Sequence, residues 1–334
     1  VTAVVAIGLN SPYPFWQFDR HHAAKLRTEF PEVEFLPVED DEIPRSLAHA
    51  DVYFGWRTDP SWLPDAPRLR WIASPAAGVD HLPAGAIATA GITLTRGFGY
   101  HARPMTEHAL GLLLGFSRGL FTSWHLQTRA GWWKDAIAET FFDLHAETLA
   151  VVGCGHVGVR LAEAAGGLGM RVIGVRRRPP SNPSHGIAWR RPNELHEVLA
   201  ESRAVINLLP ATEDTHHFFN GAAFAAFRPG SVFINLGRAS TVDHTALLAA
   251  LDEGPLLAAA LDVMPRKPPP DDDPLRHHPR LVLTPKSAVF SHSYMDGAVS
   301  FFAENLRRYL AGHLLTGAVP QFPVPAHHEE SYVH

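Results

Sequence analysis

The chain of 334 residues is long enough for two domains of ordinary size, each with its own core. A hydrophobic share of 46% excludes an intrinsically disordered chain, and a net charge of −5 leaves no basic footprint for nucleic acid. Cys154 is its one cysteine, so no disulfide can close within the chain, which fits a reducing compartment.

The first segment, residues 1–8, is a β-branched apolar run without a basic stretch before it, and is read as a buried strand, not a signal peptide. Residues 18–30 have helical spacing and end at Pro31. Short apolar runs follow at 33–38, 51–56, 69–73 and 92–95, separated by Pro, Asp and Gly, as expected of a small open α/β domain. From Pro104 the pattern predicts one long helix over 105–129, with Gly111, Gly115 and Gly119 allowing close packing. Gly115-x-Ser117-x-Gly119 matches a hydrolase nucleophile elbow, but that elbow needs a strand-to-helix turn and the pattern puts it inside a helix. Trp132 and Trp133 follow, suited equally to a partner surface, a pocket wall or core packing.

The stretch 148–178 carries the strongest signal. An apolar run enters Gly153-x-Gly155-x-x-Gly158, a helical run follows, and a second apolar run ends at Arg176, Arg177 and Arg178. This is a βαβ unit with a dinucleotide fingerprint. Gly153 permits the turn, Gly155 lets backbone approach a pyrophosphate, and Gly158 lets helix pack on strand. His156 and Val157 open the helix whose N–H groups and positive dipole end would face the phosphates. The acidic residue that bonds the ribose 2′-hydroxyl of NAD is absent from the end of the second strand, where three arginines suit a 2′-phosphate. NADP(H) is therefore the expected cofactor, with NAD(H) the second option; arginines that merely solvate a strand end are the bland alternative. Strands are then predicted at 204–209, 231–236, 256–263 and 281–284, with helices at 219–226, 245–251 and 295–312 and a tail beyond. The histidines, 21 in all and often paired, have no metal-ligand spacing, so no metal site is expected.

Several segments together resemble the D-isomer-specific 2-hydroxyacid dehydrogenases, especially the NADP-preferring glyoxylate/hydroxypyruvate reductase branch. They are Ala76-Ala77-Gly78-Val79-Asp80, the fingerprint, 206–215 around Pro210, Asn235-Leu236-Gly237-Arg238, Leu261-Asp262-Val263 and Leu283-Thr284-Pro285, in the family's order. The resemblance implies two doubly wound, parallel-sheet α/β domains with a cleft between them. Residues 1–101 plus 292–334 would form the substrate domain and 102–291 the dinucleotide domain. The chain reads as cytoplasmic, and the resemblance implies a homodimer with the long helix and the Trp132-Trp133 region near the interface; Trp133 is also a candidate for the substrate pocket. Ala77 and Gly78 would offer backbone N–H groups to the substrate carboxylate, and Arg238 would grip carboxylate and carbonyl. Pro210 and Asp262 would line the nicotinamide end, with Thr215 and Leu236 also among the cofactor-binding residues.

The chain departs from that family in its proton-transfer pair. Lys286 stands where the family has its catalytic histidine, and Lys267 falls near the place of the assisting glutamate. Lys286 is the first candidate for proton donor and His292, six positions on, the second. The expected activity is NADPH-dependent reduction of a small 2-oxo acid, with a second anionic group on the substrate suggested by Arg238, Lys267 and Lys286. The rival expectation is a cofactor-binding sensor without turnover.

Overall fold

The structure is a computed structural model and describes residues 2–128, 131–180 and 186–320. The chain divides into two compact units, one of residues up to His101 together with those from Phe290 onward, the other Ala102–Val289.

The first unit is built on five parallel strands, β1 (Ala3–Gly8), β2 (Val33–Pro37), β3 (Val52–Gly55), β4 (Trp71–Ala73) and β5 (Thr93–Thr95), in the order β2-β1-β3-β4-β5. A parallel sheet is covered on both faces, and β3 is accordingly buried along its whole length. The helix Tyr294–Leu310 covers one face with the stripe Met295, Val299, Phe302 and Leu306. Phe302 stacks on Phe54 at 4.3 Å between ring centroids and on Trp71 at 5.2 Å. Truncating such a buried ring costs roughly 3–5 kcal/mol. Two short helices, Ile43–Leu47 and Ala84–Thr89, are too brief to show a helical period in the sequence.

The second unit holds seven parallel strands, β6 (Thr148–Val152), β7 (Arg171–Val175), β8 (Ile187–Arg190), β9 (Ala204–Asn207), β10 (Ser231–Asn235), β11 (Leu256–Leu261) and β12 (Leu281–Leu283). Their order is β12-β11-β10-β9-β6-β7-β8, so the winding reverses between β6 and β9. Side chains alternate between two cores: Leu149, Val151, Ile206 and Ile234 on one face, Ala150, Val152, Val205 and Phe233 on the other. Both sheets thus have the parallel, doubly wound organisation expected of the sequence.

The single long helix expected over 105–129 is two helices, Ala102–Ser117 and Leu120–Leu126. Gly119 adopts φ +65°, a left-handed conformation that ends the first helix at little cost only for glycine. A Cβ on Gly115 would lie 2.4 Å from the Phe121 ring, so the missing side chain makes room for the second helix. The first helix begins before Pro104, which therefore sits in the first turn, where a missing N–H is harmless. Ser117 is buried at the end of that helix, its hydroxyl bonded to the Leu114 carbonyl, and forms no nucleophile elbow. The expected end of the helix at 129 and one of the histidine pairs, His327-His328, lie outside the described residues.

Candidate active site

The register of the second sheet brings one residue from each strand into a single row: Arg190, Val175, Val152, Asn207, Asn235, Leu261 and Leu283. Neighbours in such a row are about 4.8 Å apart. The next residue along each of six strands forms the carboxyl rim: Arg176, Gly153, Leu208, Leu236, Asp262 and Thr284. Open α/β sheets bind ligands beyond this rim, at the point where the strand order reverses.

At that point lies the glycine fingerprint. Gly153 has φ +84°, and a Cβ there would meet the Leu208–Leu209 backbone at 2.8–2.9 Å. Gly155, by contrast, has only the Gly153 carbonyl within 4 Å of a Cβ position, at 3.9 Å. The turn is thus pressed against β9 at its first glycine and open at its second. The helix His156–Gly167 starts directly after Gly155, so its unpaired N–H groups border the open space. Gly158 packs on Cys154 and Val151, with 3.0 Å to each from a Cβ position. A pyrophosphate fits such a cradle. Burial pushes the Cys154 thiol up to about 12, so it is no nucleophile at neutral pH.

Of the three arginines, Arg176 lies over the Trp189 ring at 5.7 Å. Arg177 is exposed and reaches Asp214 at 3.3 Å, while Arg178 is exposed. Thr215 closes its own turn by donating to the Pro210 carbonyl at 2.6 Å, which fixes the loop after β9.

Arg238 is held by a buried polar lock. The Asn207 amide donates to Asn235 Oδ1 at 3.0 Å and to Thr241 Oγ1 at 2.7 Å. Asn235 in turn accepts from the Gly237 N–H and donates to the Arg238 carbonyl, which Thr241 also bonds at 2.7 Å. Gly237 has no room for a Cβ, the Leu209 carbonyl lying 2.6 Å from that position. The half-buried Arg238 guanidinium lies across the Gly237 carbonyl at 2.9 Å. An arginine so seated keeps its planar fork in one place, as bidentate carboxylate binding requires.

Asp262 organises the far end of the rim. It is 3% exposed and accepts from Thr284 Oγ1 at 2.6 Å, the Ser287 N–H at 2.9 Å and the Ala288 N–H at 3.1 Å. Its backbone carbonyl accepts from the Lys286 N–H at 2.9 Å. Lys286 itself is exposed and has φ +55°, unusual for a residue with a Cβ. His108, on the helix Ala102–Ser117, completes the group: Nε2 lies 3.2 Å from Thr284 Oγ1 and 3.7 Å from Asp262 Oδ1. Burial holds its pKa below the ordinary histidine value, against an opposing pull from the Asp262 carboxylate. Nothing in the sequence marked His108, because its partner Thr284 is 176 positions away.

Lys267 is exposed in the loop after β11. The Trp133 indole donates to Ser123 Oγ at 2.9 Å, tying it to the helix Leu120–Leu126. In the first unit, the Ala76 and Ala77 carbonyls are held by the Gly97 N–H and the Arg96 guanidinium, which fixes the turn that carries Gly78. The preceding Pro75 carbonyl accepts from both the Tyr100 and the Tyr294 hydroxyls, and His101 bonds Tyr294 at 3.0 Å. His292 is exposed just before the helix Tyr294–Leu310. Among the described residues there is no cluster of three His, Cys, Asp or Glu able to hold a metal, and no helix long and apolar enough to cross a membrane.

Residues 110–288 match the sequence model described as the NAD binding domain of D-isomer specific 2-hydroxyacid dehydrogenases. The chain is 29% identical over 303 residues to glyoxylate/hydroxypyruvate reductase B of Yersinia enterocolitica, covering 88% of this chain and 92% of that protein. It is 31% identical over 261 residues to a glyoxylate reductase of Korarchaeum cryptofilum, covering 77% of each. A solved structure of a D-isomer specific 2-hydroxyacid dehydrogenase family protein from Aeromonas salmonicida superposes with a TM-score of 0.82 at 26% identity, over 96% of this chain and all of that one.

Proposed function

The chain belongs to the D-isomer specific 2-hydroxyacid dehydrogenase family, and on that premise we propose that it reduces a small 2-oxo acid to the 2-hydroxy acid with NADPH. The observation that carries this reading is the row of strand ends in the second unit. It sets the phosphate cradle at Gly155, the locked Arg238 and the Asp262–Lys286 turn along one rim.

Bound nicotinamide supplies the hydride for the carbonyl carbon. The protein supplies the remainder. Arg238 binds the carboxylate as a planar fork. Lys286 faces the carbonyl oxygen, donates a hydrogen bond as negative charge gathers there, and passes its proton to the alkoxide. Its exposure gives the resulting amine direct access to solvent for reprotonation. Pro210, Leu236 and Asp262 shape the nicotinamide end, and Arg176, Arg177 and Arg178 receive the 2′-phosphate, where a carboxylate would repel it. Two lysines in the places of the usual histidine and glutamate favour a second reading, a cofactor-binding protein without turnover.

Steady-state NADPH oxidation with glyoxylate, hydroxypyruvate and a 2-oxo dicarboxylate separates the two. Turnover is expected, with kcat/KM reduced roughly 100-fold by Arg238→Ala and by Lys286→Ala. NADPH binding without turnover of any of these acids would establish the second reading. Turnover unchanged in Lys286→Ala would remove Lys286 from the chemistry and leave His292 to be tested.

A further inference from the structure

We propose that His108 is a positioning residue for Lys286, acting through Thr284 and Asp262; the proposal deepens the reductase reading and rests on it for the role of Lys286. The hydrogen-bond inventory fixes the direction of the relay. Thr284 has one hydroxyl proton, and at 2.6 Å from Asp262 Oδ1 it goes to that carboxylate. Toward His108 the same oxygen can only accept, so His108 donates through Nε2–H across 3.2 Å. The imidazole thereby sets the rotor of Thr284, and Thr284 sets the orientation of Asp262.

Asp262 then holds Lys286 from both sides. Its backbone carbonyl takes the Lys286 N–H, and its carboxylate takes the Ser287 and Ala288 N–H groups. A lysine in the left-handed region is strained and persists only where the surroundings over-determine it. Four hydrogen bonds from Thr284, Lys286, Ser287 and Ala288 to Asp262 do this, and His108 orients the first of them.

The charged group that acts on the imidazole is Asp262, at the end of β11. The fingerprint helix packed along the same helix turns Gly158, Leu161, Ala162 and Ala165 inward, β10 adds Val232 and Ile234, and β12 contributes the Thr284 hydroxyl. With its pKa held down by burial, His108 is neutral near pH 7 and keeps the single Nε2–H that the relay needs. Protonation at lower pH makes an imidazolium beside the Asp262 carboxylate, which competes with Thr284 for Oδ1 and loosens the turn.

The full-length protein, His108→Leu and His108→Gln decide the matter through two independent measurements. The glutamine amide retains an N–H donor near the Nε2 position, whereas leucine leaves Thr284 without its partner. Amide hydrogen exchange over residues 286–288 is expected to quicken at least about tenfold in His108→Leu and to stay within about threefold of wild type in His108→Gln. With glyoxylate and NADPH, kcat is expected to fall at least about tenfold in His108→Leu with KM for NADPH unchanged. The glutamine variant restores kcat and lacks the acidic limb of the wild-type pH profile. Unchanged exchange in the leucine variant would overturn the proposal, as would an acidic limb that persists in the glutamine variant. An inactive wild type with faster exchange in His108→Leu would sink the reductase reading and leave the positioning role in place.

Discussion

Asn207 and Asn235 close the ends of β9 and β10 with one side-chain hydrogen bond of 3.0 Å, and each carbonyl oxygen also takes the N–H two residues further on. Both side chains are buried, so every donor and acceptor must be paired inside the protein. The pair is a hinge-free joint: it fixes the loop that leads to Pro210 and the loop that carries Arg238 with the same atoms.

Asn235→Leu takes the acceptor from one Asn207 amide proton and from the Gly237 N–H at once. A loss of roughly 2–4 kcal/mol in unfolding free energy is expected from urea titration. Activity should fall further than stability alone explains, because the Arg238 carbonyl loses one of its three hydrogen bonds. A variant as stable as wild type would show that the lock does not constrain these loops.

The fingerprint glycines should separate folding from binding. Gly153→Ala puts a Cβ 2.8 Å from backbone carbon at φ +84°, so it is expected to destabilise the apo protein by about 2 kcal/mol or more. Gly155→Ala meets nothing closer than 3.9 Å and should melt within a few degrees of wild type by calorimetry. Its NADPH dissociation constant is nonetheless expected to rise at least about tenfold, since the added methyl occupies the space left for phosphate.

Arg177→Ala combined with Arg178→Ala should lower kcat/KM for NADPH roughly 10- to 100-fold and leave that for NADH within about threefold. Equal losses with both cofactors would mean that the arginines do not read the 2′-phosphate.

His101 gives a pH prediction with a definite sign. Burial lowers its pKa from 6.5 to about 4, against a hydrogen bond to the Pro75 carbonyl that favours the charged form. The unfolded chain therefore binds the extra proton first as pH falls. Stability from this group is full above about pH 6.5, declines through the window down to about 4, and is flat below it. The total is on the order of 3 kcal/mol. His101→Gln should flatten that part of a stability–pH curve measured by denaturant titration.

The sheets were legible because parallel strands are buried on both faces, so β6, β9, β10 and β11 stand out as unbroken apolar runs. Edge strand β8 was not anticipated: Ile187–Arg190 buries only its first residue fully and carries Trp189 and Arg190 at half exposure. The break at Gly119 was hidden because glycine in a helical pattern reads equally as packing or as termination. Arg238 and Lys286 were named as candidates from the local motifs that carry the family resemblance. The group around Asp262 was not, because it joins a helix, two strand ends and a turn that meet only in the folded chain.

Cys154 lies fully enclosed beneath Gly158, in the glycine turn proposed as the nucleotide cradle. A chain with a single sulfhydryl, sealed at that place, carries its own reporter. Alkylation by a maleimide can proceed only when the β6 turn parts from its helix, so the labelling rate measures how often the nucleotide cradle opens. Any ligand that grips the cradle should slow that clock in proportion to its occupancy.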